Sequence, residues 1–268
     1  METTIANLAG SLADALADSH LENAKWLVPW RLTSRPKARI FCFSYAGTGA
    51  SVFRSWPAAL PSCIDVVAIQ LPGREGRFRE RCVTSIEEIT SFVSRSVQPH
   101  LDVPFIVFGH SLGALLAFEL TLALREMGAR LPSRLIASGM RAPQLAPTVP
   151  PFSYLPDDLF VAEVQRRYGA LQREFLEQPE ALRMFLPVLR SDLCLFEAYR
   201  CRNESPLDLD ISALCGEQDE WSQPNLLQGW QIHTTRQLRL RVYSGTHLFI
   251  HSASEQILQD LAQEIMTG

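Results

Sequence analysis

Phe105-Ile106-Val107-Phe108-Gly109-His110-Ser111-Leu112-Gly113 is the stretch on which the reading of this chain turns. The apolar run Phe105 to Phe108 suits a strand buried on both faces. From Leu112 to Met127 apolar residues recur at helical spacing, so the pattern G-x-S-x-G joins a strand to a helix. A turn this tight leaves no room for bulk two residues before or after Ser111, which accounts for Gly109 and Gly113. It lifts the serine hydroxyl above the sheet and seats it on a helix N-terminus. There the free N–H of Leu112 and the positive end of the helix dipole can stabilise an oxyanion. Ser111 is therefore the candidate nucleophile.

Working outward, short apolar runs closed by turn residues recur at Ile40 to Tyr45, Val66 to Leu71, Leu135 to Gly139, Ile211 to Cys215 and Leu238 to Tyr243. Helix-period segments lie between and after them, clearest at Ile86 to Val97 and Ile257 to Ile265. Buried runs alternating with helices predict an α/β protein with a mostly parallel sheet covered on both faces. Residues 143–203 break the rhythm. Five prolines fall between Pro143 and Pro156, and two helical stripes follow: Phe160, Val164 and Tyr168, then Leu182, Phe185, Leu189, Leu193 and Phe196. Pro187 is expected to kink or split the second helix. The segment reads as a cap over the sheet edge or as extra packing helices with no part in substrate access. Residues 1–24, with Ile5, Leu8, Leu12 and Leu16 in register, read as a short amphipathic helix or a frayed extension. The core is expected over 25–142 and 204–268.

A serine hydroxyl needs a base, and the base needs a carboxylate to orient it. After an elbow of this kind the acid and then the histidine follow in chain order. Only His233, His247 and His251 come after Ser111. His247, in Gly245-Thr246-His247 just past the last strand, can swing over the elbow; His251 falls towards the final helix and His233 away from any strand end. For the acid, Asp219 follows the strand Ile211 to Cys215 through Gly216-Glu217-Gln218, at the edge where ligand sites of open α/β sheets lie. Glu217 and Glu220 would need a different turn, Asp208 and Asp210 precede the strand, and Asp192 belongs to the cap. A second oxyanion donor is expected from Ser44-Tyr45-Ala46-Gly47-Thr48-Gly49, with the Ala46 N–H the choice. No Gly-Lys-Ser/Thr follows, which argues against a nucleotide loop. Arg74 and Arg77, with Arg79 and Arg81 behind, either meet an anionic partner or pair with Glu75 and Glu80 to brace a loop.

The whole chain has 268 residues, 47% hydrophobic and 20% charged, enough for one large core without disulfides or metal. Its net charge of −4 gives no polycation field for nucleic acid. No apolar run approaches a membrane span. Cysteines at 42, 63, 82, 194, 201 and 215 form no CxxC and no Cys/His cluster, which reads as reduced thiols. The first 24 residues hold Glu2, Asp14, Asp18 and Glu22 without Lys or Arg, unlike a secretory or transit segment. A cytoplasmic protein is expected.

From about Trp26 onward the chain resembles the type II thioesterases of nonribosomal peptide and polyketide assembly lines, which have the α/β-hydrolase fold. The resemblance is carried by Phe43 to Phe53, Gln70 to Glu75, the elbow, Leu155-Pro156-Asp157-Asp158, Leu186 to Asp192, Gly216 to Asp219 and Gly245 to Phe249. It implies hydrolysis of acyl groups from the 4′-phosphopantetheine thiol of carrier domains, a Ser111–His247–Asp219 triad and a mobile lid over 143–203. Phe160, Val164, Phe185 and Leu189 are then expected to face substrate, and Arg74 and Arg77 to meet the carrier or its phosphate. No bound cofactor or metal is implied, no membrane or nucleic acid, and a monomer is the default. Family members usually carry His-Ala-Gly-Gly where this chain has Tyr45-Ala46-Gly47-Thr48, so side-chain help at that loop is in question while its backbone donor is not. Two rivals stand beside this reading. One is a generic esterase or lipase of the same fold; the other is a silent hydrolase-fold binding module, disfavoured because all three triad positions are filled.

Overall fold

The computed structural model describes residues 25–146, 149–169, 171, 177–202 and 204–267. Strands β1 (Leu27–Arg31), β2 (Ala38–Phe43), β3 (Ile64–Ile69), β4 (Phe105–His110), β5 (Arg134–Ser138), β6 (Asp210–Gly216) and β7 (Leu238–Tyr243) form one sheet. Its order is β1-β3-β2-β4-β5-β6-β7, with β1 antiparallel to β3 and every other pair parallel.

Period-two alternation sorts the strand side chains into two layers. Phe41, Phe43, Val67, Ile69, Phe105 and Val107 pack on one face with helices α1 (Ile86–Val97) and α2 (Leu112–Glu126). Ile40, Cys42, Val66, Ala68, Ile106 and Phe108 pack on the other with Phe53, Trp56 and the C-terminal helix. Burying each large apolar side chain contributes about 1.5–3 kcal/mol, so both faces are strongly held. Because six strands run the same way, the loops after Phe43, Ile69, His110, Ser138, Gly216 and Tyr243 gather at one edge.

The strand β1 was not predicted. Leu-Val-Pro-Trp-Arg is short, and Pro29 cannot donate to a ladder, which confines the segment to an edge. Its register shifts between Pro29 and Arg31. The Arg31 guanidinium then donates to the Pro57, Leu60, Pro61 and Ile64 carbonyls, tying the edge down.

Between β5 and β6 stand α3 (Asp157–Tyr168) and α4 (Pro179–Ala198). They build a small core of their own from Phe152, Phe160, Val164, Leu171, Leu186, Leu189 and Leu193. The expected split at Pro187 does not occur: α4 runs through it as one helix. Helix α5 (Ser254–Thr267) is the last of the described elements. His251 lies in the short turn of helix Phe249–Ser252 ahead of α5 rather than within it. The stripe Ile5, Leu8, Leu12 and Leu16 lies outside the described residues.

Candidate active site

Ser111 sits between β4 and α2 with φ 54° and ψ −119°, a sparsely populated conformation for a residue with a side chain. The glycines around it are sterically required. A Cβ on Gly109 would lie 2.0 Å from the Gly113 carbonyl oxygen, and one on Gly113 would lie 2.4 Å from that of Phe43. The first turn of α2 carries no acidic residue to cancel the dipole behind Ser111.

The loops after β6 and β7 meet over this turn. The Gln218 amide donates to the Gly245 carbonyl at 3.0 Å, and the Gly245 amide donates to Gln218 Oε1 at 3.1 Å. This clamp sets Asp219 beside His247. His247 Nδ1 donates to Asp219 Oδ2 at 2.9 Å, and its Nε2 accepts from Ser111 Oγ at 3.0 Å. The donor assignment follows from the carboxylate, which can only accept. Asp219 is buried, and burial pushes its carboxyl upward. Hydrogen bonds from His247, from the Ser222 hydroxyl and from the Trp221 amide outweigh that effect and hold it below the usual carboxylate range. The acid thus stays charged, an arrangement able to fix the imidazole tautomer and to stabilise an imidazolium on His247.

His110, which the sequence reading passed over as a filler of the motif, is wholly buried beneath this pair. Its Nε2 donates to the His247 carbonyl at 2.9 Å and its Nδ1 accepts from Ser138 Oγ at 2.8 Å. Burial above all, with His247 adding to it, pulls its pKa down to about 3, so it is a neutral strut for the His247 backbone.

A narrow cleft opens above Ser111. Ala46 and Leu112 both line it, and among the described residues neither amide N–H has a protein acceptor. Two free donors beside a nucleophile suit a tetrahedral oxyanion. Met140, Arg141, Tyr168, Leu193, Phe196 and Trp221 wall the cleft, and an adjoining pocket that shares Ala46, Ser111, Tyr168, Leu193 and His247 is lined further by Tyr45, Val164, Leu189 and Leu248. Of the cap residues expected to face substrate, Val164 and Leu189 line it. Phe160 is fully buried inside the cap, stacked on Phe152 at 5.6 Å, and serves cap packing. Phe185 lies outside, along a surface groove beside Gly47 and Met184. Tyr168 and Leu193 stood on the predicted stripes; Trp221 and Arg141 left no signal that a periodicity could reveal.

The arginine expectation is corrected. Arg74 is buried, and its guanidinium is committed to Asp192 of α4, with Nη2 at 2.9 Å from Oδ1. Asp192 also accepts from the Gly47 amide at 2.7 Å, so this pair braces the loop that carries Ala46. Arg77 is buried as well, chelated by Glu80, donating to the Gln70 carbonyl and stacked over Trp26. Neither is free for a phosphate: Arg77 takes the bracing alternative through Glu80, while Arg74 braces through Asp192 of the cap rather than through Glu75 or Glu80. The other acids and histidines are also spent elsewhere. Asp208 pairs with Arg236, Asp210 with Arg134, His233 with Gln144, and His251 with the Tyr45 hydroxyl. Among the described residues no three His, Cys, Asp or Glu side chains form a metal cluster.

Comparison with known proteins agrees with this architecture. The "Gramicidin S biosynthesis protein GrsT" of Aneurinibacillus migulanus is 33% identical, covering 90% of this chain and 94% of its own. Thioesterase PikA5 of Streptomyces venezuelae is also 33% identical, over 92% of this chain and 88% of its own. Among solved structures, the RedJ thioesterase from the prodiginine pathway of Streptomyces coelicolor is 34% identical with TM-score 0.80, covering 85% of this chain and 91% of that one. The type II thioesterase BorB from the borrelidin cluster superposes with TM-score 0.82 at 30% identity, covering 90% and 98%. The thioesterase domain family matches residues 38–265. With that match spanning most of the chain, and an α/β-hydrolase fold shared with type II thioesterases, the protein belongs to the thioesterase family and is a hydrolase of thioesters.

Proposed function

We propose that this enzyme removes acyl groups from the phosphopantetheine arm of acyl or peptidyl carrier domains, clearing mis-primed or stalled chains from a nonribosomal peptide or polyketide assembly line. The observation that carries the reading is the unbroken hydrogen-bonded chain from Ser111 through His247 to Asp219 beneath an apolar cap. Relatives named for gramicidin S and prodiginine biosynthesis support the carrier as the substrate's bearer.

Ser111 Oγ attacks the thioester carbonyl while His247 Nε2 takes its proton. The Leu112 and Ala46 amides receive the oxyanion; the C–S bond then breaks, and His247 returns the proton to the departing thiol. Water, deprotonated by the same imidazole, releases the acyl group from Ser111. The reaction needs no resident cofactor. Val164, Leu189 and Leu193 grip the acyl chain by apolar contact, where one methylene is worth only about 1–3 kcal/mol, so several short acyl groups are accepted. Residues 143–203 act as the lid that admits them.

Loading a carrier domain with acetyl-phosphopantetheine and following acyl release tests the proposal. Release by the wild type and none by Ser111→Ala is expected. No release by the wild type sinks the carrier reading, and turnover of oxygen esters alone points to a generic esterase instead.

A further inference from the structure

The other buried guanidiniums of the core have acids: Arg39 meets Asp65, Arg74 meets Asp192, Arg77 meets Glu80, and Arg134 meets Asp210 and Glu264. Arg141 differs. It follows β5 at the site edge, half-buried, and lines the same cleft as Ser111, Leu112 and His247. Among the described residues no carboxylate lies within ion-pair distance of it. Its contacts are a long hydrogen bond from Nε to the Leu145 carbonyl (3.4 Å) and the ring face of Phe196 (5.5 Å). Burial accordingly pulls its pKa down, with only the Tyr168 phenol acting the other way. A partly desolvated guanidinium at the cleft, its terminal nitrogens carrying no protein hydrogen bond among the described residues, is placed to receive an anion.

On the thioesterase reading above, we infer that Arg141 is a substrate-binding residue for a carboxylate on the acyl group, so that the enzyme takes short dicarboxylic half-thioesters as well as neutral acyl chains. Position decides between the substrate's anions. The phosphate stands at the far end of the pantetheine chain from the sulfur. The distal carboxylate of a short dicarboxylic half-thioester lies only a few bonds from the carbonyl that Ser111 attacks, within one cleft. Tyr168 lines that lobe too, and burial holds its phenol protonated, with a pKa of about 12, as a neutral donor. Glu197, in the outer cleft, does not compete, because the Phe152 and Ser153 amides bind its carboxylate. Hydrolysis breaks the C–S bond and forms a C–O bond from water; the distal carboxylate passes through unchanged.

The test compares succinyl with butyryl, each on a phosphopantetheinylated carrier and on pantetheine without phosphate. In Arg141→Met the succinyl-to-butyryl ratio of kcat/KM is expected to fall about tenfold to a hundredfold on both bearers. The loss should lie mainly in KM, with part recovered by Arg141→Lys. Circular dichroism and thermal midpoints check folding, and if Arg141→Met does not fold, Arg141→Gln is read for the same ratio. An unchanged ratio overturns the inference, as does a loss that tracks the phosphate or a wild type that releases butyryl but not succinyl. Failure of the wild type on both acyl groups overturns this inference together with the carrier reading.

Discussion

Around Ser111 the backbone has no slack: a single added methyl on Gly109 or Gly113 would collide with main-chain atoms, and His110, His247 and Asp219 are all buried. The cap formed by α3 and α4 is built otherwise. Its core is one small cluster, and polar ties hold it together or fasten it below: Arg190 to Asp157, Glu197 to the Phe152 amide, and Asp192 to Arg74 and Gly47. The contrast separates two jobs. On the proposed mechanism, proton transfer, which tolerates little misplacement, falls to strand ends and the N-terminus of a long helix. Enclosing an acyl chain requires only shape and apolarity, which a separately packed layer can supply.

The sharpest test of the rigid half is Asp219→Asn. It removes the acceptor that fixes the His247 tautomer and should cut acyl release by about 10⁴-fold with little change in fold; a much smaller loss would mean another acid orients the imidazole. Next comes the tie between the halves. Asp192→Ala strands the buried Arg74 charge and frees the Gly47 amide, so urea unfolding should report a loss of roughly 3–5 kcal/mol. Replacing both partners by apolar residues should recover much of it. Phe160→Ala opens a cavity costing roughly 3–5 kcal/mol locally. If the cap is its own packing unit, hydrogen exchange should rise in α3 and α4 before the sheet; uniform loss would erase the distinction drawn here.

A further test concerns pH. His110 and His233 have native pKa values of about 3 and about 4, below the ordinary histidine value. The unfolded chain therefore binds protons that the native state refuses. Their contribution is complete above about pH 6.5 and is lost as pH falls towards 4 and then 3, at up to about 1.4 kcal/mol per pH unit for each. Wild type and His110→Gln compared by thermal unfolding between pH 7 and 4 should diverge in slope, with the variant flatter.

Local chemistry accounts for what was readable. The elbow declares itself because a strand, a glycine-flanked serine and a helix are contiguous; His247 and Asp219 follow from chain order and strand ends. Near-continuous apolar runs along β2, β3 and β4 announced strands buried on both faces of the sheet. Pro29 hid β1, since a proline in a short run weakens a strand pattern although an edge permits it. Pro187 suggested a kink or a split, yet α4 runs through it as one helix. The arginines after β3 carried no mark of their fate. Whether Arg74 met a phosphate or a carboxylate depended on Asp192, more than a hundred residues later, being folded against it.

The order of residues was thus sufficient for the elbow, for singling out the histidine and the carboxylate that meet Ser111, and for the layered sheet, because each rests on short-range sterics or on which end of a strand a loop leaves. Folding in three dimensions alone settled that Arg74 and Arg77 turn inward, that His110 props the His247 backbone, and that Arg141 lines the cleft with no acid beside it among the described residues. Charge pairing and burial are properties of neighbours brought together from distant parts of the chain, and no local pattern encodes them.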